Sequence, residues 1–417
     1  MRILKLTREV EKKLLGARMV RDKAAERVAA RIVEDVKRRG DAALFAWTKK
    51  LDRVDLRREG MWIEEKELRA AEKKAKPELV RAIRQTIRNL RRVAEKQLPR
   101  EWSINVDHGV RIRQIVRPIE SVGCYVPGGR YALVSTLLMT VVPAQVAGVE
   151  KIVAVCAWPT MELLAAAHLL GLRKIARVGG AQAVAALAYG TRTIARVEKI
   201  LGPGNRYVTA AKQLVSGDCA IDLPAGPTEA IVLAEGGNAR WIAADLLAQA
   251  EHAPDAGSFL VTSSRLLAER VAGEVEAQLK ELPENNPAHV SMKRSGGILL
   301  SKSVVASCDF VNRFAPEHLS LPSNGGPLLE RIGSSGTIFL GPWGAQPLGD
   351  YVSGSNHVLP TAGWARRRGG LSAADFVKCI TVQTISRRGF LGLASTAETL
   401  AEAEGLMCHR NAVSVRR

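Results

Sequence analysis

The sequence predicts an α/β protein with parallel sheets, entered through a helical N-terminal region. Three observations carry this. From about residue 105, short β-branched runs alternate with Ala- and Leu-rich runs, the texture of parallel strands joined by crossover helices. Residues 1 to about 100 instead repeat their apolar positions at helical steps. Glycine-rich segments follow several strand-like runs, where tight turns between strand and helix belong.

In the first hundred residues Val28, Ile32, Val33 and Val36, then Leu44, Phe45 and Trp47, define helical faces. Gly40-Asp41 marks a stop and a restart: a glycine closes one helix and an N-cap candidate opens the next. Pro77 suits the first turn of a long basic helix over 78–96. Strands are predicted over 110–116, 152–156, 175–178 and 199–202, with helices over 163–170, 181–189 and 208–214. A strand over 230–233, a helix over 240–252, a strand over 258–262 and a helix over 264–279 come next. Segments 298–300, 304–310 and 337–340 continue the alternation. The tail from 370 reads as helical over 373–377 and 395–404, ending in a short strand over 412–415. Units 105–228 and 229–370 are similar in size, a weak two-fold echo.

A chain of 417 residues exceeds one ordinary core and predicts two or more domains. With 47 % hydrophobic and 25 % charged residues it is compositionally globular. The net charge of +19 has two readings: an anionic partner such as nucleic acid or a membrane surface, or a solvated basic surface. Few aromatic residues interleave with the cations, as base stacking would need, which favours the solvated surface and no nucleic-acid partner. Cys124, Cys156, Cys219, Cys308, Cys379 and Cys408 form no C-x-x-C pair and fit reduced thiols in a cytoplasmic protein. The start of the chain lacks a signal-peptide core, and Ser386-Arg387-Arg388, resembling an export string, sits near the wrong end. The apolar stretch from Tyr131 to Val149 contains Ser135, Thr136, Thr140, Pro143 and Gln145, which suits a buried segment and no membrane span.

Polar chemistry gathers around a few of the seven histidines. Gln249 and His252 are three apart in a predicted helix, so both lie on one face and could share a metal. Asp350 lies in a glycine-rich loop leading to His357, and Glu404 precedes His409 near the chain end. Such donors suit zinc, or manganese; scattered hydrogen-bonded polar groups are the plainer reading. Glu317-His318 is the best acid–base candidate, since an imidazole can take and return a hydroxyl proton while the neighbouring carboxylate activates water. Val126-Pro127-Gly128-Gly129, Gly179-Gly180-Ala181-Gln182 and Gly202-Pro203-Gly204-Asn205 read either as a nucleotide or anion site or as tight turns; none completes a G-x-G-x-x-G fingerprint.

These segments together resemble histidinol dehydrogenase, from Gly40-Asp41-Ala42-Ala43-Leu44 to Asn411-Ala412-Val413. The landmarks are Gly123-Cys124-Tyr125-Val126-Pro127-Gly128-Gly129, Gly202-Pro203-Gly204-Asn205, Asp222-Leu223-Pro224-Ala225-Gly226-Pro227-Thr228-Glu229, Gln249-Ala250-Glu251-His252, Pro316-Glu317-His318-Leu319, and Gly349-Asp350-Tyr351 through Asn356-His357. The resemblance implies two incomplete Rossmann-like domains with parallel sheets, plus helical N- and C-terminal extensions that intertwine in a homodimer. The implied boundaries are 1–21 for the N-terminal extension, 22–124 with 229–370 for a discontinuous catalytic domain, 125–228 for an NAD-binding domain, and 371–417 for a C-terminal dimerisation segment. It implies one Zn²⁺ per subunit on Gln249, His252, Asp350 and His409, the last from the partner subunit. Glu317 and His318 match the catalytic pair, and Tyr125, Gln182 and Asn205 match NAD contacts. Thr228, His357 and Glu404 match contacts to L-histidinol, with Gln249, His252, His318, Asp350 and His409 also lining its site. Thr228 stands where the family often has serine, which keeps the hydroxyl and adds a methyl. The implied reaction is a two-step, NAD-linked oxidation of L-histidinol through the aldehyde to L-histidine. The competing readings are a related zinc dehydrogenase of another small alcohol, a zinc hydrolase, and a basic nucleic-acid-binding protein on the same fold.

Overall fold

The computed structural model describes residues 1–18, 22–128, 133–223, 226–323 and 325–417. Gly129, Pro224 and Ala225 of the motifs above, and residues 131–132 of the long apolar stretch, lie outside them.

The N-terminal region is mostly helical, as expected, with two short strands that periodicity does not reveal. It runs β1 (Ile3–Lys5), α1 (Arg8–Ala17), α2 (Lys23–Arg39), α3 (Asp41–Leu51), α4 (Leu56–Glu59), β2 (Trp62–Glu64), α5 (Glu65–Lys74) and α6 (Pro77–Gln97). The Asp22 side chain caps α2, whose buried Ala25, Ala29, Ile32, Val33 and Val36 form one face. Gly40, at φ +55°, closes α2 and also caps α3, so Asp41 is the first helical residue and not the cap. Pro77 opens α6 as predicted.

Next come β3 (Trp102–Asp107), β4 (Val110–Pro118), β5 (Ser121–Tyr125), α7 (Val134–Ala147), β6 (Lys151–Val155), α8 (Met161–Leu169), β7 (Lys174–Ala176), α9 (Gly180–Tyr189), β8 (Lys199–Leu201), α10 (Arg206–Val215) and β9 (Ala220–Ile221). They build a first six-stranded sheet in the order β2-β7-β6-β5-β8-β9, parallel except at β2. A parallel sheet must be covered on both faces. One core joins α2 and α3 to α9 and α10; the other joins α6 to α7 and α8. This corrects the expected grouping of 22–124 with 229–370. The apolar faces of the N-terminal helices pack on the first sheet, and its central strand β5 begins at Ser121, inside the segment assigned to the other domain. Among the described residues no helix is long and apolar enough to cross a membrane.

The chain then forms β10 (Glu229–Leu233), α11 (Ala239–Ala250), β11 (Gly257–Thr262), α12 (Arg265–Glu281), α13 (Ala288–Arg294), β12 (Gly296–Leu300), α14 (Val304–Phe314), β13 (His318–Leu321), α15 (Gly326–Leu329), β14 (Thr337–Leu340) and α16 (Gln346–Tyr351). The second sheet is fully parallel, in the order β1-β12-β11-β10-β13-β14. Its winding repeats that of the first: a central strand, two more on one side, an edge strand borrowed from the N-terminal region, and two strands on the other side. The weak echo in the sequence is thus a repeated strand order.

The tail is helical where predicted, at Ala373–Phe376 and through 395–403, but adds an unpredicted strand and ends in a helix where a strand was expected. It contains β15 (Val377–Ile385), α17 (Arg387–Ala403) and α18 (Met407–Ser414). The β-branched run of β15 finds a complete antiparallel ladder on β4, which also pairs with β3. The expected strand at 412–415 is helical up to Ser414, where α18 packs on α17 and the Ser414 hydroxyl donates to Glu398 (2.8 Å). All six cysteines are free, four of them buried.

Candidate active site

Two polar clusters form, one at each parallel sheet. The first lies at the carboxyl ends of β5, β7 and β8. The chain winds outward from β5 in both directions, so the crevice between β5 and β8 is the switch point where α/β sheets take ligands. Tyr125 ends β5, and its hydroxyl accepts from the Gly180 amide (3.1 Å). Gln182 is fully buried; its Nε2 donates to Asp52 (2.9 Å), while its Oε1 has no partner among the described residues. Burial pushes Asp52 up to about 6, against the bonds from Gln182 and the Gly179 amide. Gly202, at φ +112°, presses so closely on Tyr125 that a β-carbon would fall 2.0 Å from its carbonyl oxygen. A buried Lys212–Asp222 pair holds that turn: Lys212 donates to the Gly202 carbonyl (2.9 Å) and Asp222 accepts from the Gly202 amide (2.7 Å). Asn205 caps α10, its Oδ1 accepting from the Tyr207 and Val208 amides.

The second cluster lies at the opposite edge of its sheet, the amino ends of β10 and β13. Thr228 and Glu317 immediately precede these strands and His318 is the first residue of β13. A directed chain of hydrogen bonds links them. Gln346 Nε2 donates to Gln249 Oε1 (2.5 Å), Gln249 Nε2 to Thr228 Oγ1 (2.7 Å), and Thr228 Oγ1 to Glu317 Oε2 (2.5 Å). Glu317 Oε2 also accepts from the Glu229 amide (2.9 Å). The His318 ring stands between two carboxylates, with Nδ1 3.7 Å from Glu317 and Nε2 3.5 Å from Asp350. Neither approach is an aligned hydrogen bond, and both ring nitrogens are buried and unpartnered among the described residues. Phe339 stacks on the ring at 6.2 Å between centroids.

Charge follows from this packing. Burial pulls His318 down, but Glu317 and Asp350 outweigh it and hold the imidazole above its usual value. Burial holds Glu317 above the ordinary carboxylate range. Burial would also raise Asp350, yet His318, His357 and His252 bring it below that range. Burial lowers His357, whose Nδ1 lies 3.0 Å from the Asp350 carbonyl and Nε2 3.3 Å from Thr136 of α7. The neighbouring Asn356 donates to the Met139 carbonyl (2.7 Å), so this segment ties the amino edge of the second sheet to the first.

Of the predicted residues, Thr228, Gln249, Glu317, His318, Asp350 and His357 converge within the single chain. His252 lies just past the end of α11, not within it, exposed, with Nδ1 3.0 Å from the Ala248 carbonyl. Glu404 caps the end of α17 and His409 lies on α18; both are exposed, and neither makes a hydrogen bond to this cluster among the described residues. Nor does any group of three His, Cys, Asp or Glu side chains among those residues stand ready for a metal. Gln346 and Asp52 escaped sequence reasoning; position next to Gly349-Asp350 was the only signal for the first, and the second had none.

The family model of histidinol dehydrogenase matches residues 17–417. The chain belongs to the histidinol dehydrogenase family. It is 44 % identical over 396 residues to the histidinol dehydrogenase of Methanothermobacter thermautotrophicus, covering 93 % of this chain and 92 % of that one. A crystal structure of histidinol dehydrogenase from Elizabethkingia anophelis, 37 % identical, superposes with a TM-score of 0.94 over 100 % of this chain and 98 % of that one. A histidine biosynthesis bifunctional protein of Photorhabdus laumondii is 42 % identical; this chain spans 49 % of its length. The histidinol dehydrogenase family is one of enzymes, and the mixed α/β fold with its parallel sheets agrees with it.

Proposed function

We propose that the chain oxidises L-histidinol to L-histidine in two steps at the second cluster, with NAD held at the first. The alcohol, two NAD⁺ and one water would give the carboxylate, two NADH and three protons. The observation that supports this best is His318, a buried imidazole with two uncommitted nitrogens between two carboxylates. Such a group is placed to exchange protons with a substrate.

His318 takes the hydroxyl proton of the alcohol. Glu317, fixed by Thr228 and the Glu229 amide, takes a proton from the water that adds to the bound aldehyde. His318 then takes the hydroxyl proton of the hydrate. Gln249, His252 and Asp350 offer O and N donors that fit a divalent ion, Zn²⁺ or Mn²⁺, and His409 would complete the set from a partner subunit. Gln249 Oε1, already accepting from Gln346, keeps a second lone pair for that purpose. When bound, the ion would supply Lewis-acid polarisation and a fixed point for the substrate's amine and imidazole. Thr228 and His357 contact the substrate, as does Glu404 of an intertwined partner. Tyr125, Gln182 and Asn205 hold NAD, the unpartnered Gln182 Oε1 accepting from it. The free thiols suit a cytoplasmic setting.

The test is stoichiometry: metal-loaded protein should form two NADH for each L-histidinol consumed. One NADH, or no turnover at full metal content, contradicts the reading. His318→Ala and His409→Ala chains, each inactive alone, should regain activity as mixed dimers. No recovery after demonstrated subunit exchange would remove the shared site.

A further inference from the structure

Behind Glu317 lies a buried ion pair that the mechanism does not use. Arg18, at the end of α1, points its guanidinium into the second sheet, and its side chain is 12 % exposed. Its Nε donates to Glu229 Oε2 (2.7 Å) and its Nη2 to Glu229 Oε1, a bidentate fork. The remaining donors reach the Phe314 carbonyl and the Ala315 carbonyl (3.4 Å), and the cation lies 3.7 Å over the Phe314 ring.

Among the described residues three non-glycine residues take a positive φ: Arg53, Ala315 and Ala362. Two of them meet this pair. Ala315 offers its carbonyl to Arg18, and the Ala362 amide faces the Glu229 carboxylate. A left-handed alanine is strained and persists only where its surroundings hold it. Ala315 is followed by Pro316-Glu317-His318, and the Glu229 backbone donates to Glu317. The two catalytic side chains are held differently. Glu317 rests on Thr228 and Glu229 of the β10 edge; His318 also meets the Glu229 backbone, but in addition rests against Phe339 and faces Asp350 of α16.

We infer that Arg18, through Glu229 and the strained Ala315 turn, is the positioning residue for Glu317. The N-terminal segment thereby sets the geometry of the water-activating carboxylate, while the imidazole, which also meets the Glu229 backbone, has further supports in Phe339 and Asp350. This rests on the proposed roles of Glu317 and His318. Its consequence is selective: losing Arg18 impairs the oxidation that needs water far more than the interconversion of alcohol and aldehyde.

The experiment supplies L-histidinal to the metal-loaded protein, with NAD to read water-dependent oxidation to the acid, or with NADH to read reduction to the alcohol. Arg18→Met should lower the NAD reaction tenfold or more and the NADH reaction less than threefold. Because Arg18→Met leaves Glu229 buried without its partner, Arg18→Met/Glu229→Met is measured beside it; an apolar pair of similar bulk restores stability but not the oxidation. Arg18→Lys keeps the charge without the fork and should show the same selectivity, more weakly. Equal loss of both reactions, or loss of neither, overturns the inference. The Glu317→Gln variant separates the two levels: if it keeps the NAD reaction, the assigned role of Glu317 is what fails.

Discussion

The two parallel sheets share one strand order and use opposite edges. The first presents Tyr125, Gln182 and the Gly202 turn at its carboxyl ends, where the winding opens a crevice. The second gathers Thr228, Glu317 and His318 at its amino ends, where the winding opens nothing. A repeated topology therefore does not repeat a site. Backbone geometry makes the first cluster, through glycines that allow close approach. The second is made by long polar side chains converging from α11, α16 and the strand starts, so its chemistry depends on hydrogen bonds between elements.

That contrast can be broken by mutation, and the largest effect belongs to the amino edge. His318→Ala should cost about 10³-fold in turnover, about 4 kcal/mol, with little change in thermal stability. Retention of turnover would dissolve the distinction. At the carboxyl edge the expected losses concern stability and affinity. Lys212→Met strands Asp222 without its buried partner and should destabilise by about 3 kcal/mol in denaturant melts. An unchanged midpoint would show that the pair does not hold the Gly202 turn. Gln182→Ala should raise the KM for NAD about tenfold and leave kcat nearly untouched, about 1.4 kcal/mol of uniform binding. A fall in kcat with KM unchanged would move Gln182 to the chemistry.

The smallest effect depends on pH. Asp52 titrates near 6 in the folded protein, above its ordinary carboxylate value, so the native state holds a proton the unfolded state has lost. Its contribution is full below the unfolded pKa and is lost as pH rises to about 6. After discounting for its partial exposure, that loss is about 1 kcal/mol. Asp52→Asn should flatten stability across this window while still accepting from Gln182. An unaltered pH profile would place the titration elsewhere.

How far each region was legible follows the same division. Most strands and helices of 105–340 were readable because each is a local run with its own period, but β5 (Ser121–Tyr125), β9, α13 and α15 were not predicted. Ile3–Lys5 and Trp62–Glu64 were not, since three residues carry no period and become strands only by joining a sheet edge far along the chain. The unpredicted strand and the helical chain end have the same origin: Val377–Ile385 has β4 as partner, while the β-branched end of α18 has α17. The grouping of the N-terminal helices was misread because an apolar face states that it will be buried, not against which sheet. In the site, Glu317-His318 and Asp350 were visible as motifs. Gln346, Asp52 and Arg18 act through contacts across roughly a hundred residues or more and leave no local mark.

The division of labour between the two edges is tested most directly by titrating NAD into the metal-loaded His318→Asn protein and measuring its turnover of L-histidinol. The account predicts NAD affinity equal to that of the unaltered protein, with turnover abolished. NAD affinity lost together with turnover would mean that the two clusters are one interdependent site.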